Sequence, residues 1–233
     1  MSYGGSTHAV MMATPADLVD FAYGFTLTEG IVSSGADIFD VEVVPFDKGI
    51  DLQIALAKDC AQALAARRRS MAGPVGCGLC GLESIDAAMR NVPSVIGTLS
   101  LRPQDVNDAV EALLPAQPLF TETRAVHGAG FFRPGDGMLA VREDIGRHNA
   151  LDKLIGALTR QGIPGHGGAI VVTSRLSVEM VQKAAIAGVP ILIAISNPTV
   201  LAIETADRAG MTLIATARGD GFAVYTHADR VVM

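Results

Sequence analysis

Cysteine is scarce in this chain, with three in 233 residues. So few thiols, two of them three residues apart, do not make the disulfide framework of a secreted protein, and a reducing cytoplasm fits better. Charge is sparse too, at 18% of residues against 49% hydrophobic. Yet no apolar run reaches the roughly 18 residues a membrane span needs. Ala169 to Thr173 and Ile191 to Ile195 are strand-sized. No basic segment followed by an apolar one opens the chain, so no signal peptide is expected. A net charge of −6 argues against broad electrostatic binding of nucleic acid, leaving only local basic sites open.

Against this background one stretch stands out, Gly76-Cys77-Gly78-Leu79-Cys80-Gly81. Glycine before, within and after the pair frees the backbone to bend and expose both sulfurs. Three readings follow: a surface loop that carries thiols, half of a zinc site, or a thiol redox or sulfur-relay site.

The pattern along the chain predicts a helix from Thr14 as N-cap and Pro15, with Leu18, Phe21, Ala22 and Phe25 on one face. Alternation from Asp37 to Ala57 around Asp47-Lys48-Gly49 predicts a β-hairpin. A helix from Asp59 to about Arg68 carries Cys60 as a small core residue. It ends in Arg67-Arg68-Arg69, a solvated face or a docking patch for an acidic partner. Glu83 to Arg90 and Arg102 to Leu114 read as helices, Phe120 to Phe132 as mixed, and Met138 to Val141 as a short strand. Leu151, Leu154, Ile155 and Leu158 mark an amphipathic helix closed by Gly162. In the last third, apolar strands at Ala169 to Thr173, Ile191 to Ile195 and Thr212 to Thr216 alternate with helices, which implies a parallel sheet covered on both faces. Phe222 to Thr226 adds an antiparallel strand near the edge. The division expected is an N-terminal α+β subdomain over 1–70, a CxxC-bearing loop and short helix over 71–100, and an α/β core over 101–233.

Ligands of open α/β sheets collect beyond the strand C-termini. Here those ends carry Thr173 to Ser177, Ser196 to Thr199, and Ala217 to Gly219, each rich in hydroxyls or next to a glycine turn. They suit a phosphate, or else they cap helices. Arg142 to Asn149 is a dense polar run between a strand and a helix, fit for a pocket wall, an interface network or catalysis. His127 and His148 could complete a zinc site with Cys77 and Cys80. Zinc deaminases, however, show His-x-Glu followed by Pro-Cys-x-x-Cys. Gly76 precedes Cys77 here, and no His-x-Glu occurs.

Taken together, Cys77-Gly78-Leu79-Cys80-Gly81, the run Arg142 to Lys153, Ser174 to Met180, Met11 to Leu18 and the closing Phe222 to His227 resemble the FdhD family, the sulfur carrier proteins of formate dehydrogenase. The resemblance covers nearly the whole chain, in order. It implies a cytidine deaminase-like three-layer α/β/α core with a mixed sheet and a small N-terminal α+β subdomain. It also implies a cytoplasmic homodimer that takes persulfide sulfur from a cysteine desulfurase. The sulfur passes to the molybdenum bis(molybdopterin guanine dinucleotide) cofactor, a bound client, before that cofactor enters formate dehydrogenase. Carried over by position, Cys77 bears the persulfide, Cys80 assists or resolves it, and Phe222, Ala223, Val224, Tyr225, Thr226 and His227 line the cofactor site. No permanently bound metal, membrane or nucleic acid is implied. A non-catalytic cofactor chaperone and a zinc-dependent deaminase relative are the alternative functions. One departure from the family pattern is Thr123-Arg124-Ala125-Val126, where the family carries Thr-Gly-Gly shortly before the equivalent of His127.

Overall fold

The protein is described by a computed structural model of residues 1–71, 92–219 and 221–232, without side chains over 65–71. Cys77, Cys80, the helix expected over Glu83 to Arg90 and the side chains of Arg67-Arg68-Arg69 lie outside the described residues.

A small sheet comes first. Strands β1 (Ser2–Tyr3), β2 (Ser6–Thr7), β3 (Ile38–Phe46) and β4 (Gly49–Leu56) assemble in the order β2-β1-β4-β3. The expected hairpin is β3–β4, paired antiparallel with Phe46 opposite Gly49. Helix α1 (Leu18–Thr28) covers this sheet, burying Phe21 and Ala22 among Tyr3, Ile38, Leu52 and Ile54. Helix α2 (Lys58–Met71) follows.

Helices α3 (Pro103–Leu113) and α4 (Pro118–Thr123) lead into the larger unit. Its strands are β5 (His127–Arg133), β6 (Gly137–Asp144), β7 (Ala169–Val172), β8 (Ile191–Ala194), β9 (Thr212–Arg218) and β10 (Gly221–Thr226), in the order β10-β9-β8-β7-β5-β6. β7, β8 and β9 run parallel and the other pairs antiparallel, so the sheet is mixed. Helices α5 (Arg147–Gln161), α6 (Val178–Ile186) and α7 (Val200–Ala209) press Leu151, Leu154, Met180 and Ala206 onto Ile170, Val172, Leu192 and Leu213. On the opposite face α3 presses Val106, Ala109 and Leu113 onto Ala169, Val171, Ile191 and Ile193. Both faces of each central strand are therefore buried, which is why those strands are apolar at every position. The three-layer α/β/α arrangement is the one expected.

Local details differ from the sequence reading. Helix α1 begins at Leu18, and Thr14 does not cap it; Asp17 holds the N-cap position at φ 54 with no side-chain bond. Thr14 is drawn away by the core: its hydroxyl accepts from the Ile145 N–H at 3.0 Å and its carbonyl from Lys153 Nζ at 2.9 Å. β5 and α4 emerge from the stretch read as mixed, and β6 runs on to Asp144, into the polar run. At Arg124 the backbone is left-handed at φ 55 and the guanidinium lies 5.1 Å over the Phe120 ring.

The two units meet where α1 crosses α5. A Cβ on Gly24 would overlap the Asp152 carbonyl, and one on Gly156 would overlap the Asp20 carbonyl. The backbones touch because neither helix carries a side chain at the crossing. Gly24→Ala must prise the helices apart, so its urea midpoint should fall by the equivalent of ~1–3 kcal/mol, the usual cost of overpacking. An unchanged midpoint would show that the crossing is loose.

Candidate functional site

The polar run Arg142 to Asn149, with Asp152 and Lys153 after it, divides into two kinds of residue. Most of it fastens the N-terminal unit to the core. Asp144 and Lys153 are fully buried and pair at 2.6 Å. Asp144 also accepts from the Thr14 N–H (2.9 Å), the Gly146 N–H (2.8 Å) and Asn149 Nδ2 (3.0 Å). Asn149 Nδ2 reaches the Met12 carbonyl as well. Arg142 pairs with Asp20 of α1 at 2.7 Å, and Arg160 meets the other oxygen of that carboxylate at 2.6 Å. Glu143 accepts from the Leu119 and Phe120 N–H groups that open α4. Asp152 accepts from the Thr28 hydroxyl at 2.7 Å and pairs with Lys183 at 2.9 Å, while Lys183 also reaches Glu29 at 3.1 Å. Burial raises the Asp152 carboxyl toward the neutral acid. Burial also pulls Lys183 down, but Asp152 and Glu29 outweigh it and hold the ammonium above its ordinary range.

Arg147 and His148 belong to the other kind. They open α5 at the rim formed by the strand C-termini, and the three loops singled out by sequence do meet there. The Leu176 N–H donates to the Asn197 carbonyl (3.2 Å), the Thr199 N–H to the Leu176 carbonyl (2.9 Å) and the Thr216 N–H to the Ser196 carbonyl (3.2 Å). Arg218 Nε reaches the Ile195 carbonyl at 3.0 Å. The start of β5 joins the rim because Thr173 exchanges hydrogen bonds with Gly128, next to His127. Thr199 spends its hydroxyl on capping α7, but Ser177 makes no capping bond to α6. Its Oγ lies 3.4 Å from His148 Nε2, which in turn is 4.0 Å from Glu179. Burial, helped by the Arg147 charge, lowers both His127 and His148, so both imidazoles are neutral near pH 7.

The remaining candidates are spread out. Phe222 to Thr226 form β10, the outermost strand, with the Arg218 end at the rim and the Leu213 end at the far side of the sheet. Phe222, Val224 and Tyr225 are partly exposed along it. Thr226 is buried, donating to the Met211 carbonyl, and His227 at φ 44 bonds the Asp207 carbonyl of α7. Ala223 sits opposite Ala215. Cys60 is half-buried on the wall of an apolar cleft of about 780 Å³ with Ile31, Pro93, Ile155 and Ile186. That cleft lies at the C-terminal end of α5 and offers little to a phosphate. Among the described residues, no three His, Cys, Asp or Glu side chains gather as metal ligands. Asp20, Thr28, Glu29, Arg160 and Lys183 escaped the sequence reading, since each lies far along the chain from its partner.

The FdhD/NarQ family model matches residues 1–232. This chain belongs to the FdhD/NarQ family. It is 61% identical over 233 residues to a sulfur carrier protein FdhD of Agrobacterium fabrum, covering all of this chain and 86% of that protein. It is 56% identical to one of Brucella abortus, covering all of this chain and 87% of the other. A crystal structure of a candidate formate dehydrogenase accessory protein from Desulfotalea psychrophila shares the fold. Its TM-score is 0.76 and its identity 24%, with 99% of this chain and 86% of that one covered. The polar run from Arg142 to Lys153 is mainly a fastener. Lys153→Met should cost ~3–5 kcal/mol by leaving Asp144 charged, buried and unpaired, and a thermal unfolding scan reads the loss directly. A melting temperature within a degree of wild type would contradict it.

Proposed function

We propose that this chain is a sulfur carrier that serves formate dehydrogenase. The observation that carries the reading is its membership of the FdhD/NarQ family, with high identity to proteins named for sulfur carriage. In this reading the Cys77 thiolate attacks the outer sulfur of a persulfide on a cysteine desulfurase. The donor's S–S bond breaks, the donor cysteine leaves as a thiolate, and a persulfide forms on Cys77 with no net oxidation. Cys80 assists, or later displaces the sulfur and closes a disulfide. The acceptor is the molybdenum bis(molybdopterin guanine dinucleotide) cofactor, bound as a client and passed on to the formate dehydrogenase catalytic subunit.

Two structural features support a nucleotide-containing acceptor. Hydroxyls, an arginine and helix N-termini gather at the strand-end rim, which suits phosphate on a chain of net negative charge. The edge strand Phe222 to Thr226, with His227, starts at that rim and presents partly exposed aromatic side chains along the sheet margin. We assign the cofactor-lining role to Phe222 through His227, and place the protein in the cytoplasm as a homodimer. Among the described residues no helix is long and apolar enough to cross a membrane.

Mass spectrometry after incubation with a desulfurase and cysteine tests the first step. The reading expects a gain of about 32 Da, one sulfur atom, on Cys77 or Cys80. An unchanged mass on both peptides sinks it.

A further inference from the structure

The strand-end rim holds a guanidinium with no protein partner. Among the described residues Arg147 makes no hydrogen bond or ion pair, and its Nε is sealed from solvent without an acceptor. Every other cation of the polar signature is tied down: Arg142 to Asp20 and Lys153 to Asp144. A buried guanidinium nitrogen without an acceptor is costly, and proteins keep such groups where something else supplies the oxygen. The groups around Arg147 point to an oxyanion. His127 and His148 flank it, and neither imidazole adds a positive charge of its own near pH 7. As neutral rings both still offer an N–H donor. Arg147 is the first residue of α5, whose N-cap, Gly146, has no side chain to satisfy the helix's free N–H groups. The Ser177 hydroxyl beside His148 does not cap α6 and is instead engaged by the Glu179 carboxylate.

Two carboxylates, Glu179 and Glu29, bear on His148. Glu179 is 4.0 Å from His148 and is held below its ordinary range: burial opposes this, but the Ser177 hydroxyl, its own backbone N–H, His148 and Arg147 outweigh it. Its charge therefore lies on the α6 side of the cluster. On the β5 side, among the described residues, Arg147 is the charged group that bears on His127.

We propose that Arg147, with His127, His148 and the uncapped N-terminus of α5, forms a subsite for a phosphoryl or diphosphate group. The inference rests on the nucleotide-cofactor reading above and deepens it, placing the dinucleotide's phosphates at the α5 end of the rim. The guanidinium supplies the forked, charge-assisted pair that phosphate oxygens fit, and the two imidazoles add neutral donors on either side.

Calorimetric titration with GDP, pyrophosphate and guanosine tests the assignment. Wild type should bind GDP and pyrophosphate, and guanosine about tenfold or more weakly. Arg147→Gln, with an unchanged melting curve, should weaken GDP and pyrophosphate alike by about tenfold or more, the scale of one lost charge-assisted contact. Arg147→Lys should recover part of the loss. If Arg147→Gln does not fold, His127→Gln, expected to weaken both ligands severalfold, takes its place. Wild type that prefers guanosine or ignores pyrophosphate overturns the proposal, as does a folded variant that binds GDP with wild-type affinity. Persulfide loading of the wild-type cysteines is a separate readout. A chain that loads sulfur but binds neither GDP nor pyrophosphate overturns the subsite and leaves the carrier reading standing.

Discussion

The buried pair of Asp144 and Lys153 constrains the rest of the molecule. Neither side chain reaches solvent, so each must be paired where it lies. Asp144 ends β6 and Lys153 sits in the second turn of α5, while both reach Thr14 in the segment before α1. One charge pair thus ties together the sheet, the helix that covers it and the entry to the N-terminal unit. The α1–α5 crossing at Gly24 and Gly156 then fixes how closely the two units approach, and Asp20 and Asp152 secure its flanks. Side chains at the α5 N-terminus inherit their position from this arrangement.

That hierarchy gives the polar signature a physical meaning. A run so rich in ionisable groups invites a catalytic reading, but a catalytic group must be free to meet its substrate. Arg142, Glu143, Asp144, Asn149, Asp152 and Lys153 are committed to backbone, to one another, or to Asp20, Thr28 and Lys183. Among the described residues Arg147 is not, and His148 holds only long contacts, to Ser177 and Glu179. The free groups project at the strand-end rim, where open α/β sheets place their ligands. A rigid fastener immediately behind a small set of uncommitted donors is a reasonable way to hold an anionic client in a fixed orientation.

Much of this architecture was legible in the sequence. The apolar strands from Ala169 onward, the helices between them and the β3–β4 hairpin follow from periodicity and turn residues, because burial imposes those patterns locally. The convergence of the three strand-end loops was legible as well, since a parallel sheet puts successive strand ends on one side. What escaped was set by distant partners. Thr14 looks like an N-cap and is instead claimed by Ile145 and Lys153. β5 hides in a stretch with two glycines, where Gly128 and Gly130 leave room for Gln117, Met138 and Leu113. The partition of the polar run into fastener and rim was also invisible, because its partners Asp20 and Lys183 lie far from it along the chain. The composition of the run does not reveal which of its residues are free.

In the proposed function the glycine-flanked cysteines carry sulfur to a client held at this rim. The most direct measurement is formate dehydrogenase activity in cells whose only copy of this protein carries Cys77→Ala and Cys80→Ala together. Sulfur carriage predicts that activity is lost although the variant accumulates and folds like wild type. Full activity in those cells would contradict the account and leave the protein a cofactor chaperone that needs no thiol.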